Sequence, residues 1–259
     1  MNTWKTLYLK EVKENRTLFI FLLASTACLQ MVALLSFDEG QVVPSPHFLW
    51  SFLPYGSFLI LPFLLSHSFA QELKGQTHYL LLSLPVSRTQ IFAAKVAAVV
   101  TLSTLLFILN TAGLSMVFIG LQNLAARGLG LQASLPTVDL WVLASMFYVS
   151  AMAVMLGIAS GIVGLKLVVR RFSGLAATAF AIFVLYFYFS TLADVLALPA
   201  VLGTYEASVW IDSTNPDMVL RMGEPKPIVV NFMFVAHSLV VGLAAMGIGM
   251  WLFEKRAEA

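Results

Sequence analysis

Tyr186, Ser190 and Asp194 recur every four residues, so in a helix a phenol, a hydroxyl and a carboxylate share one face. They sit in an apolar run with Phe183, Phe187 and Phe189 around them. Ionisable groups in such runs are functional suspects. Two readings stay open: a carboxylate solvated near the end of a span, or a polar stripe lining a translocation path. The other reactive side chains offer less. His67 and His237 lack ligand-like spacing, so no metal site is expected. The single cysteine, Cys28, excludes an intrachain disulfide, and its apolar surroundings predict a small buried hydrophobe. The chain contains no H-E-x-x-H, no G-x-S-x-G and no G-x-x-x-x-G-K-[ST] phosphate loop. No catalytic residue is therefore expected, and no cofactor bound by this chain. Asn110 predicts an interhelical hydrogen bond. Gly157 and Gly161 form a GxxxG, with Gly164 one turn on, which is a helix-packing signal within or between chains.

The elements that hold these residues follow from composition. Of 259 residues, 59% are hydrophobic and 11% charged, with a mean hydropathy of +0.88. Soluble domains usually carry about a quarter charged residues, so the solvent that fits this chain is lipid. A span needs about 20 mostly apolar residues, and six runs qualify: 17–37, 49–70, 93–120, 139–164, 174–198 and 231–253. The third and fourth are long enough to tilt or to project. The first run is too long for a signal peptide and lacks a cleavage site after it, so it is read as a helix. Ahead of it, residues 2–16 place Trp4, Leu7, Tyr8 and Val12 on one helical side. Lys5, Lys10, Lys13 and Glu14 take much of the other. That pattern predicts an interfacial amphipathic helix. The whole reads as one all-α membrane domain over residues 1–259.

Basic residues orient the spans. With six spans both termini share a side, and twelve of the 15 Lys and Arg residues fall on it. Only Arg127, Arg221 and Lys226 lie in the opposite loops. Both termini are thus expected in the cytoplasm of a multi-pass protein of the inner membrane. The net charge of +2 is too small to suggest nucleic acid.

Between the second and third runs the chain reads ELKGQTHYLLLSLPVSRTQIFAAK, from Glu72 to Lys95. Pro85 forbids a continuous helix. Ser87, with Gln90 three residues later, can cap a new one. A helix-break-helix on the cytoplasmic side would present Leu81 and Leu82 with nowhere in the chain to bury them. They need the bilayer surface or a partner.

The arrangement of Glu72, Gly75, Thr77, Leu81, Leu82, Pro85-Val86-Ser87-Arg88 and Lys95, after the second of six spans, resembles the permease subunits of ABC-2 type transporters. The resemblance extends to the N-terminal amphipathic helix, the six spans and the long segment before the last one. It implies an elbow helix at 2–16 and a coupling helix in 72–92 that docks on a separate cytoplasmic ATPase. ATP and Mg would be bound by that chain. Also implied are a second permease copy, export as the direction, and capping or re-entrant helices in the extracellular segment 199–230. Val201, Leu202, Val209, Trp210 and Ile211 make partial burial the expectation there. Glu72 and Lys95 are expected to fix the loop's angle by pairing with each other or with neighbouring spans. Within transport the alternative is a complex that supports maturation of an extracytoplasmic enzyme, with an accessory protein outside, or antibiotic resistance, without ordinary export. The alternatives of other classes are an intramembrane scaffold or signalling subunit, and a membrane enzyme.

Overall fold

The computed structural model describes residues 3–35, 53–74, 87–126, 131–134, 137–169, 172–207, 210–213 and 228–255. Helix α1 (Thr3–Glu14) meets α2 (Arg16–Leu35) at Asn15, and the two axes differ by 56°. Asn15 N–H and its Nδ2 both donate to Glu11 O, at 3.2 and 2.9 Å, at the end of α1, and Asn15 O accepts from Phe19 N–H at 3.0 Å as α2 begins.

The second expected span is not one helix. A 3-10 turn (Leu53–Gly56) leads into α3 (Ser57–Ile60), and α4 (Phe63–Lys74) begins only after Leu61 and Pro62. Pro62 supplies no backbone N–H and its ring crowds the preceding turn. It is fully buried at the break, and α4 then runs on past the expected boundary at residue 70. The third run instead lengthens, to α5 (Arg88–Ala126). Its start follows the expected cap, because Gln90 N–H donates to Ser87 Oγ at 3.3 Å. At 39 residues α5 is about 58 Å long, well beyond a hydrocarbon core of roughly 30 Å, so it projects from the lipid. The remaining long helices are α6 (Thr137–Val168), α7 (Ser173–Ala197) and α8 (Met233–Lys255). Among the described residues four helices are each long and apolar enough to cross a membrane. The bent α1–α2 pair brings the number to five. This is a mostly helical, multi-pass membrane protein.

Helix α6 is the centre of the bundle, and apolar clusters lie on both its sides. On one, Leu65 and Phe69 of α4 pack with Phe92, Leu106 and Phe107 of α5 and with Tyr148 and Met152 of α6. On the other, Val154 and Ile158 meet Val184 and Tyr188 of α7 and Val241 and Ala245 of α8. Small residues bring α6 and α8 together. A Cβ at Gly157 would lie 2.4 Å from Gly242 O, and one at Gly249 would lie 2.4 Å from Ser160 O. Gly161 instead receives the ring of Phe180 from α7. The GxxxG therefore packs within the chain, Gly157 against Gly242 of α8 and Gly161 against Phe180 of α7. Lipid tails give no hydrophobic drive between helices, so such backbone contact is a main source of their attraction.

The segment before the last span departs from the helical expectation. Its described residues form β2 (Thr204–Ala207), β3 (Trp210–Ser213) and β4 (Ile228–Asn231). β2 pairs antiparallel with β4, and β3 with β1 (Leu131–Ser134) from the loop between α5 and α6. Thr204, Tyr205, Ile228, Val229 and Val230 are β-branched or aromatic, types that suit a pleated ladder. Gly203, at φ 88°, turns the chain into β2. Val201 and Leu202, expected to be partly buried, are exposed. The ladder pairing ties two loops together at one end of the bundle. Tyr205 Oη adds a hydrogen bond of 2.5 Å to Asp139 Oδ1 at the start of α6, and that carboxylate holds the phenol above its ordinary pKa.

Candidate functional site

The polar residues converge at the opposite end, where the basic side chains gather. α1 lies along the beginning of α5: Leu7 is buried against Ile91 and Ala94, and Tyr8 Oη donates to Thr101 Oγ1 at 3.2 Å. One turn on from Leu7, on this same face, stands Glu11, only 4% exposed. Its Oε1 accepts from Lys95 Nζ at 2.7 Å, and Lys95 is 2% exposed. Lys95 also donates to Ser68 Oγ at 2.6 Å, and the Ser68 hydroxyl in turn donates to Glu11 Oε2 at 2.9 Å. The result is a closed ring of three hydrogen bonds drawn from α1, α4 and α5.

The ring is charge-matched and its floor is aromatic. Lys95 Nζ lies 5.0 Å from the centroid of Phe69, a favourable cation–π placement. Phe69, Phe92 and Phe253 of α8 form a mutual cluster, with centroids 5.3 to 6.0 Å apart. Away from water, removing either charge strands the other, which typically costs about 3–5 kcal/mol. A few residues away, Arg88 Nη1 donates to Glu254 O at 3.3 Å, which satisfies a carbonyl in the last turn of α8. Arg88 and Lys95 thus both reach across to other elements.

Expectation and structure meet here in part. Lys95 does pair with a neighbour, but through Glu11, which the sequence reading left out. The signal was present: Glu11 stands four residues after Leu7 and three after Tyr8, a lone carboxylate on the apolar face. Glu72 lies in the last turn of α4. Gly75, Thr77, Leu81, Leu82 and Pro85 fall outside the described residues, and with them the expected helix-break-helix. What the structure describes is both legs of that segment, α4 ending at Lys74 and α5 beginning at Arg88.

The stripe of Tyr186, Ser190 and Asp194 lies on the face of α7 that the rest of the chain leaves exposed, Tyr186 by 72%. Tyr188 points the other way. It is buried, bonds to Ser238 Oγ at 3.0 Å and stacks on His237, whose Nε2 lies 3.2 Å from Thr191 Oγ1. His237 is accordingly part of a contact between α7 and α8. Asn110 makes the expected interhelical bond, accepting from Gln30 Nε2 at 2.7 Å. Cys28, expected to be buried, is exposed on α2. If the α7 stripe borders a path and a separate ATPase drives the chain, as the resemblance implies, Asp194→Ala should alter the ATPase rate of the complex and leave assembly intact. An unchanged rate and unchanged transport would assign Asp194 to the solvated end of the helix.

The family model described as ABC-2 family transporter protein matches residues 9–190, from the middle of α1 to Ser190 in α7. No curated protein and no solved structure matches the chain.

Proposed function

Since the chain belongs to the family of ABC-2 transporter proteins and is an ABC permease subunit, we propose that a separate cytoplasmic ATPase drives it through residues 72–92. One observation carries this reading. Both legs of the segment are anchored in the bundle, by Ser68 and Lys95 to α1 and by Arg88 to α8. A push on the segment is therefore delivered to several helices at once. The phosphate loop, ATP and Mg belong to the partner chain, and the helix from Thr3 to Glu14 is the elbow.

Two copies of the permease face each other, with one ATPase under each. The exposed apolar side of α7, including Ile182, Phe183, Phe187 and Phe189, supports a covering partner there, and with it a path beside Tyr186, Ser190 and Asp194. Movement is a rigid-body change between two packings, and export is its direction. Both termini lie in the cytoplasm, as the basic asymmetry supports.

The test is purification of the permease from its native membrane together with what it holds. The expected complex contains two permease chains and two copies of a chain with a phosphate loop. A permease that comes away without any ATPase, under conditions where its fold survives, would overturn the reading. In the same preparation, with the exposed Cys28 first replaced by serine, single cysteines at Ser134 and Ser213 should label from outside intact cells. One at Ser87 should not, and external labelling there reverses the orientation.

A further inference from the structure

The ring of Glu11, Ser68 and Lys95 does more than neutralise two buried charges. Each member comes from a different helix, and two of those helices are the legs of the segment at 75–86. α5 touches α1 along several turns, at Leu7, Tyr8 and Glu11. α4 is joined to α1 through the hydroxyl of Ser68. With that hydroxyl shared between the ammonium and the carboxylate, the legs cannot slide past the elbow without exposing an unpaired buried charge. We infer that Glu11, Ser68 and Lys95 form a positioning network that clamps the elbow helix to both legs of the coupling segment. Nucleotide-driven displacement of the segment then moves α1 with it. The movement passes through the 56° bend at Asn15 into α2.

This rests on the ATPase-driven reading above, and its mechanics are specific. An ion pair removed from water is stiff, because partial separation loses Coulomb energy that no solvent restores. Ser68 makes the joint three-way, since its hydroxyl on α4 bonds both the ammonium and the carboxylate. Lys10, on the solvent side of α1, lies 3.8 Å from Glu11 Oε1 and 3.5 Å from Glu14. It adds positive charge at the rim, on the same helix as Glu11. These three residues are positioning residues: they act through the segment and touch neither nucleotide nor substrate.

The experiment uses the purified complex of permease and ATPase, with Cys28→Ser and spin labels at Lys5→Cys on α1 and Ile248→Cys on α8. Both sites are exposed. The label distance is compared without nucleotide and after trapping with ATP and vanadate. Complexes with an intact ring should show a nucleotide-dependent change in that distance. In Lys95→Gln and Glu11→Gln the change should disappear while the ATPase stays bound and still hydrolyses ATP. Ser68→Ala, which keeps both charges, should show a reduced change, and Lys95→Arg should restore most of it. Size exclusion establishes that each variant is folded, and Ser68→Ala carries the test if the charge variants fail it. A full change in folded Lys95→Gln or Ser68→Ala overturns the inference alone. So does an intact-ring complex whose label distance ignores nucleotide. Loss of the ATPase from the folded variants overturns it too, since the ring would then shape the dock rather than transmit its movement. An unsubstituted permease that holds no ATPase overturns the function proposed above.

Discussion

Gly242→Val should abolish a monodisperse preparation of the protein or lower its unfolding midpoint far more than any change at an exposed position. A Cβ at Gly242 would stand 2.3 Å from Ala153 O and 2.4 Å from Ala153 C, both backbone atoms of α6. Backbone in the middle of a helix cannot swing aside as a side chain can, so α6 and α8 must separate along their length. Separation also opens the contacts of Gly157 with Gly242 O and of Gly164 with Gly249 O. Overpacking commonly costs about 1–3 kcal/mol and occasionally more, and a contact against rigid backbone belongs at the upper end. The control lies on the same helix. A Cβ at Gly247 meets nothing within 4 Å, so Gly247→Ala should leave stability unchanged or raise it, because alanine favours a helix over glycine by up to about 1 kcal/mol. The measurement is thermal unfolding in detergent for the two variants side by side. Equal midpoints would show that α6 and α8 do not depend on this contact.

The second large effect is expected at the proposed ATPase dock, where Leu82→Asp combined with Arg88→Glu should release the ATPase. Burying a leucine is typically worth about 1.5–3 kcal/mol, and an aspartate at the same place adds the cost of desolvating an unpaired carboxylate. Since about 1.4 kcal/mol is a factor of ten in affinity, losing one such contact from each dock should lower retention at least tenfold. Arg88→Glu also removes the bond to Glu254 O, an effect of order 1 kcal/mol that the bundle should survive. ATPase retained on the detergent-purified permease is the readout, with size exclusion as the check on folding. Full retention and full coupled transport in the double variant would remove residues 72–92 from the coupling role. Comparison with Lys95→Gln separates the two roles proposed for this region, holding the ATPase for the leucines and passing on its movement for the ring.

The sequence by itself determined whatever depends on solvent or on neighbours a few residues away. Long apolar runs name lipid as the surroundings, because no soluble core of this length could hide them, and the long helices α5, α6, α7 and α8 follow. The Ser87 cap was legible because an N-cap is a bond across three residues, and Asn110 because a lone amide among apolar side chains must find a partner. Even Pro62 was in plain view, although composition alone read through it and merged two helices into one span. Tertiary structure decided the partners. Glu11 and Lys95 are 84 positions apart, and although Glu11 stands alone on the apolar face of α1, nothing local names Lys95 as its partner until Leu7 docks α1 against α5. Gly157 signalled close packing, but that its partner is Gly242 follows from the angle at which α8 crosses α6. The strands at Thr204–Ala207 and Ile228–Asn231 exist because each satisfies the other's backbone hydrogen bonds, a pairing no single stretch can announce. The exposed stripe of α7 carries the same lesson: spacing puts Tyr186, Ser190 and Asp194 on one face, and only the packing of Val184 and Tyr188 decides that this face points outward.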